Sequence, residues 1–147
     1  MIFKQVFDTK SSTYTYIIAS GKGREAVIID PVIENVESYI RLLNELDLKL
    51  VKVIDTHIHA DHVTGASKLK QATNCSTLMG EHTPADAVEI KVKDDEIIKI
   101  DQIEIKAMYT PGHTSDSYSF LMDNYLFSGD TLLILSLIHI WRCRRYA

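Results

Sequence analysis

Cysteine is nearly absent from this chain. Only Cys75 and Cys143 occur, too few for a disulfide framework, and their scarcity fits a reducing cytoplasm. Long apolar runs are also missing. The longest, LLILSLIHIW at 132–141, has ten residues, against the roughly 20 that a bilayer-spanning helix needs. The start, MIFKQVFDTKSS, lacks a basic stretch followed by an apolar one, so no secretory signal is expected. Positive charge is scarce in the body. Three of the 16 basic residues, Arg142, Arg144 and Arg145, follow residue 134, and none of the 20 acidic residues does. Residues 1–134 therefore hold 13 basic and 20 acidic side chains, a balance of −7, which argues against nucleic acid or an anionic membrane as a partner. Repeats, low-complexity segments and linkers are missing as well. A length of 147 residues then implies one domain, large enough to bury a core.

What is present is a succession of short β-like runs. IFKQVFD (2–8) and TYTYIIA (13–19) alternate and are rich in β-formers. KGRE reads as a turn and AVIID (26–30) as a buried strand that Pro31 ends. Ile33, Val36, Ile40, Leu43 and Leu46 recur at helical spacing, which predicts an amphipathic helix over about 33–46. LKLVKVIDT (48–56) follows as a strand. Strand, helix and strand in that order suggest a crossover unit, with its ligand site at the strands' carboxyl ends. Further on, 65–73 predicts a short helix and 75–80 a strand. Hairpins are expected around Asp101-Gln102 (96–100 with 103–110) and around Asp123-Asn124 (117–123 with 125–130).

Chemistry concentrates where the 48–56 strand ends. THIHADH places His57, His59, Asp61 and His62 within six positions, and burying four such groups unpaired is costly. Two more turns carry the same kinds of donor: TPGHTSDS with His113 and SGDT with Asp130. Imidazole and carboxylate are nitrogen and oxygen ligands for zinc or iron. Pro111-Gly112 and Gly129 are turn formers beside them. His82 and His139 read as surface or core residues instead, and Cys75 as a buried strand residue. Tyr14 and Tyr16 read as packing, Glu81 and Thr83 as caps, and Asp94-Asp95-Glu96 as a solvated turn.

THIHADH, PGHT and GDT in this order resemble the metallo-β-lactamase superfamily. The flanking stretches SSTYTYII, EAVIIDPV, DTHIHADHVTGA, LMGE, TPGHT and FSGDTLLI resemble its persulfide dioxygenases, also called sulfur dioxygenases. The resemblance covers about residues 3–134. It implies an α/β (α+β) fold, the αββα sandwich, in its N-terminal portion only. It also implies one Fe(II) held by His57, His113 and Asp130, two histidines and a carboxylate of the kind suited to O2 chemistry. His59, Asp61 and His62 would then lie around the ligands, orienting them and water. The implied reaction oxidises glutathione persulfide with O2 to sulfite and glutathione. The implied partners are thus small molecules, with no nucleic acid and no membrane, in a cytoplasmic protein for which a homodimer is open.

After GDTLLI the family pattern is not continued. Residues 135–147 are expected to be foreign to a domain spanning 1–134. LSLIHI, a stop codon read as tryptophan, and RCRR form the string that one frame of a common sequencing adapter encodes. The missing portion would carry the glutathione-binding residues, so this chain by itself is expected to have little activity. Two other readings stand beside the dioxygenase. One is a dinuclear zinc hydrolase of the glyoxalase II kind, with two Zn(II): His57, His59 and His113 on one, Asp61 and His62 on the other, Asp130 bridging. The other is a non-catalytic fragment or binding module.

Overall fold

The computed structural model describes residues 1–59, 64–112 and 114–129. Two compact units emerge: Met1–Asp55 with His59–Leu78 and Ile100–Ile103, and Thr56–Ile58 with Met79–Lys99 and the chain from Glu104.

In the first unit, β1 (Ile2–Asp8) and β2 (Thr13–Ala19) form the expected antiparallel pair, Ile2 opposite Ala19 and Asp8 opposite Thr13. The turn between them is closed by the Asp8 carboxylate, which accepts the Ser11 amide at 2.9 Å and the Ser11 hydroxyl at 2.6 Å. β2 pairs antiparallel with β3 (Glu25–Ile29). From β3 the chain crosses over through a 3-10 turn (Ile33–Asn35) and α1 (Val36–Glu45) to β4 (Lys49–Ile54), which lies parallel to β3. The predicted helix thus starts three residues late, its first turn wound more tightly. α2 (Ala66–Thr73) then leads to β5 (Ser76–Gly80), parallel to β4. Asn74 stops α2 in the left-handed conformation, φ 60°, which asparagine tolerates better than most residues.

The core of this unit follows from the helical spacing. Val36, Tyr39 and Leu43 form the buried stripe of α1. They pack with Ile17, Ala26, Ile28, Leu50, Val53, Leu69 and Cys75, each large aliphatic contributing roughly 1.5–3 kcal/mol by leaving water. Cys75 is buried, as the sequence suggested. Tyr16 and Tyr14 pack on Phe3 and Phe7, ring centroids 5.7 and 4.8 Å apart.

A strand the sequence did not announce, β6 (Ile90–Val92), follows β5, and the first sheet runs β1-β2-β3-β4-β5-β6. Three residues flanked by charge carry too little alternation to be read. The second sheet runs β10-β9-β8-β7: β7 (Ile97–Ile100), β8 (Ile103–Tyr109), β9 (Tyr118–Met122) and β10 (Tyr125–Phe127). Its hairpins turn at the expected places, with Asp101 and Asp123 at φ 55° and 50°. Ile98, Ile105, Ala107, Tyr118, Phe120 and Met122 are among its buried residues. The acidic run 94–96 is exposed. It still pairs with β8: the Asp95 amide donates to the Ala107 carbonyl and the Ala107 amide to the Glu96 carbonyl, both at 2.8 Å.

Candidate metal centre

Thr56, His57 and Ile58 follow β4 in the chain and belong to the second unit. The other two loops singled out by the sequence come to them. At the 110–117 loop, the Tyr118 amide donates to the Thr56 carbonyl at 2.9 Å. The Asp116 carboxylate accepts the Ile58 amide at 2.9 Å. At the SGDT loop, Gly129 lies so close that a Cβ there would sit 2.4 Å from Thr56 Oγ1 and 3.2 Å from His57 Nδ1. Its φ of +53° is a second reason for glycine, since side-chain-bearing residues disfavour that region. The 110–117 loop is cinched on itself. Tyr109 donates its hydroxyl to the Ser115 carbonyl at 2.9 Å, the Gly112 amide donates to the Thr114 carbonyl at 3.2 Å, and Thr114 and Ser117 share a hydroxyl bond of 2.6 Å.

His57 is 1% exposed. Its Nδ1 faces the Thr56 hydroxyl at 2.9 Å. With the proton on that nitrogen, Nε2 presents the lone pair that a metal takes. The donor chemistry at this position therefore fits a metal ligand. His113, Asp130, Asp61 and His62 lie outside the described residues.

His59 belongs to the first unit and is held differently. Its Nε2 lies 3.0 Å from Asp30 Oδ1 and 3.8 Å from Asp55 Oδ1, all three side chains being nearly buried. One ligand atom from each of the three falls within 4.8 Å of the others, close enough to share a cation. The topology explains this meeting. Ile29 and Ile54 are register partners in the parallel pair β3–β4, so the next residue on each strand, Asp30 and Asp55, emerges at the same sheet edge. The Asp30 amide donates to the Ile54 carbonyl at 2.8 Å and the Asp55 amide to the Leu78 carbonyl at 3.1 Å. Thr64 donates its hydroxyl to Asp55, 2.8 Å from Oδ2.

The corner that presents Asp30 is braced from below. Thr15 donates to the Asp30 carbonyl at 2.7 Å, so its oxygen accepts from the Tyr39 hydroxyl at 3.0 Å. The same Tyr39 oxygen accepts the Val32 amide at 3.1 Å. Sequence reasoning missed Asp30, Asp55 and Asp116. The available signal was an aspartate directly after an apolar run, AVIID and VKVID, the pattern that introduces THIHADH itself.

His82 stacks on Tyr109, ring centroids 4.0 Å apart at 19°, and Tyr109 leans on Tyr118 at 5.2 Å. Burial raises the Tyr118 phenol above its ordinary 10.0, with the charges of Glu81 and Asp94 adding to it. Thr83 accepts the Ala85 amide at 3.2 Å, closing a turn rather than capping a helix.

Residues 8–145 match the model of the metallo-beta-lactamase superfamily. The chain is 34% identical over 137 residues to the persulfide dioxygenase ETHE1, mitochondrial, of Bos taurus, covering 91% of this chain and 54% of the relative. It is 33% identical over 125 residues to a probable hydroxyacylglutathione hydrolase of Schizosaccharomyces pombe, covering 81% and 48%. Among solved structures, ETHE1 from Myxococcus xanthus superimposes with a TM-score of 0.84 at 40% identity, covering 87% of this chain and 56% of that one. The fold expected from the sequence is borne out, and the chain spans about half the length of the curated relatives it matches. Among the described residues no helix is long and apolar enough to cross a membrane.

Proposed function

The chain belongs to the metallo-β-lactamase superfamily, and on that premise we propose that it is a non-haem Fe(II) persulfide dioxygenase. Its reaction, which belongs to the intact parent protein, is the oxidation of glutathione persulfide by O2 to sulfite and glutathione. His57, His113 and Asp130 would hold the iron, two imidazoles and a carboxylate that leave coordination positions open. Bound iron supplies the dioxygen chemistry that side chains lack. Thr56 fixes the His57 ring with Nε2 as the ligating nitrogen. Asp30 and Asp55 hold His59 by Nε2, and His59, Asp61 and His62 are assigned the orienting of ligands and water.

One observation carries this reading: the loops preceding Asp130 and following His113 both abut Thr56–Ile58. The likeness to relatives named persulfide dioxygenases supports the dioxygenase reading. The likeness to a named hydroxyacylglutathione hydrolase, with the complete HxHxDH pattern, supports a second reading, the dinuclear zinc hydrolase with His59, Asp61 and His62 as ligands. Little turnover is proposed for residues 1–147 by themselves. The cytoplasm is proposed from the sparse, buried thiol, although the bovine relative is named mitochondrial; both are reducing compartments.

The test is metal analysis of the intact parent protein with two assays in parallel, O2 uptake on glutathione persulfide and hydrolysis of a glutathione thioester. One iron per chain with persulfide-dependent O2 uptake is expected. Two zinc ions with thioester cleavage and no O2 uptake refute the dioxygenase.

A further inference from the structure

Asp116 has no part in the three-ligand set, yet it is a carboxylate only 4% exposed at the junction of two metal-binding loops. Its Oδ2 accepts the backbone amide of Ile58 at 2.9 Å. Ile58 follows His57 directly, and Asp116 lies three residues after His113. We propose that Asp116 is a positioning residue that pins the 110–117 loop to the 56–58 segment, fixing the spacing at which His57 and His113 meet a metal ion. This rests on the proposal that those histidines are ligands.

The physical case has three parts. A buried carboxylate is costly unless its charge is hydrogen-bonded, and a backbone amide is a donor that no substitution at position 58, other than proline, removes. A hydrogen bond to a carboxylate is roughly twice as strong as a neutral one. This one also adds to another bond between the same two segments. Among the described residues, the 110–117 loop is closed on itself by Tyr109–Ser115 and Thr114–Ser117. Beyond that closure, the Tyr118 amide bonded to the Thr56 carbonyl anchors the loop's end. Asp116 adds a second anchor two residues earlier, and two anchors fix direction as well as position. An acceptor is what the pin requires, so an asparagine oxygen can replace it.

The experiment uses the 147-residue chain, Asp116→Ala and Asp116→Asn. Zn(II) affinity is read by competition with a chromophoric chelator, and exchange of the Ile58 amide is read by NMR without metal. Partners that orient metal ligands change affinity by roughly 10–100-fold when removed. Asp116→Ala is expected to weaken Zn(II) by that factor and to expose the Ile58 amide. Asp116→Asn is expected to restore amide protection and most of the affinity. Wild-type affinity in Asp116→Ala, or an equal loss in both variants, overturns the pin. Because neither readout involves O2, a pin that holds while the intact parent protein shows no persulfide oxidation refutes only the dioxygenase. Persulfide oxidation with no pin refutes only the role of Asp116.

Discussion

Substituting Gly129 by alanine tests whether the SGDT loop is built against His57. A Cβ at this position meets Thr56 Oγ1 at 2.4 Å and Thr56 Cβ at 3.1 Å, so Thr56 must turn away. Its hydroxyl then leaves His57 Nδ1, a buried hydrogen bond of 2.9 Å whose loss costs about 1–3 kcal/mol. Holding alanine at φ +53° adds about 1–2 kcal/mol. The expected loss of stability is thus about 2–5 kcal/mol, a large share of the roughly 5–15 kcal/mol available to a domain. Urea unfolding of the metal-free chain measures it as a shift in midpoint at constant slope. The same measurement on Thr56→Ala and on the double variant isolates the contact. Without the threonine oxygen the steric part shrinks, and the two substitutions cost less together than apart by more than about 1 kcal/mol. If the two effects simply add, within about 0.5 kcal/mol, Gly129 does not press on Thr56 and the proposed meeting of the loops loses its support.

Gly80→Ala places a methyl 1.9 Å from the ring of Tyr118; overpacking of this kind costs about 1–3 kcal/mol or more, and unfolding of Gly80→Ala in a Tyr118→Ala background should show the penalty relieved. Tyr39→Phe leaves the buried Val32 amide without its acceptor and should cost about 1–3 kcal/mol in urea unfolding; a change under about 0.5 kcal/mol would remove the brace beneath Asp30. The Ser11 hydroxyl, then the Ser11 amide and Asn35, hold the Asp8 carboxyl below its ordinary 3.8. A carboxyl depressed in the folded state stabilises above its unfolded pKa, and that contribution fades as pH falls through the folded value. Ser11→Ala should therefore raise the Asp8 pKa in an NMR titration. It should also lower the unfolding midpoint at pH 7, with the gap to wild type narrowing as pH falls through the folded pKa of Asp8; a gap that persists unchanged in acid refutes the linkage.

What could be read from the sequence, and what could not, divides along a physical line. β1 and β2 were legible because β-branched and aromatic residues alternate along them, β3 because it is a short apolar run, and α1 because Ile33, Val36, Ile40, Leu43 and Leu46 recur at helical spacing. The turns at Asp101 and Asp123 were legible because aspartate there precedes a polar residue between two apolar runs. His57 and His59 stood out because imidazoles crowded after a core strand require something to hold.

Asp30, Asp55 and Asp116 did not stand out. An aspartate ending an apolar run looks the same whether it only begins a turn or hydrogen-bonds a histidine. What distinguishes them is pairing: Asp30 and Asp55 share an edge only because β3 and β4 run parallel with Ile29 beside Ile54, a register that no local stretch encodes. The same holds for Asp116 and Gly129, 58 and 73 positions from the Ile58 and Thr56 they touch. The ligand types in such a site are thus written locally, by residues too costly to bury unused. The groups that aim them depend on strand order and must be found by following each buried amide and hydroxyl to its acceptor.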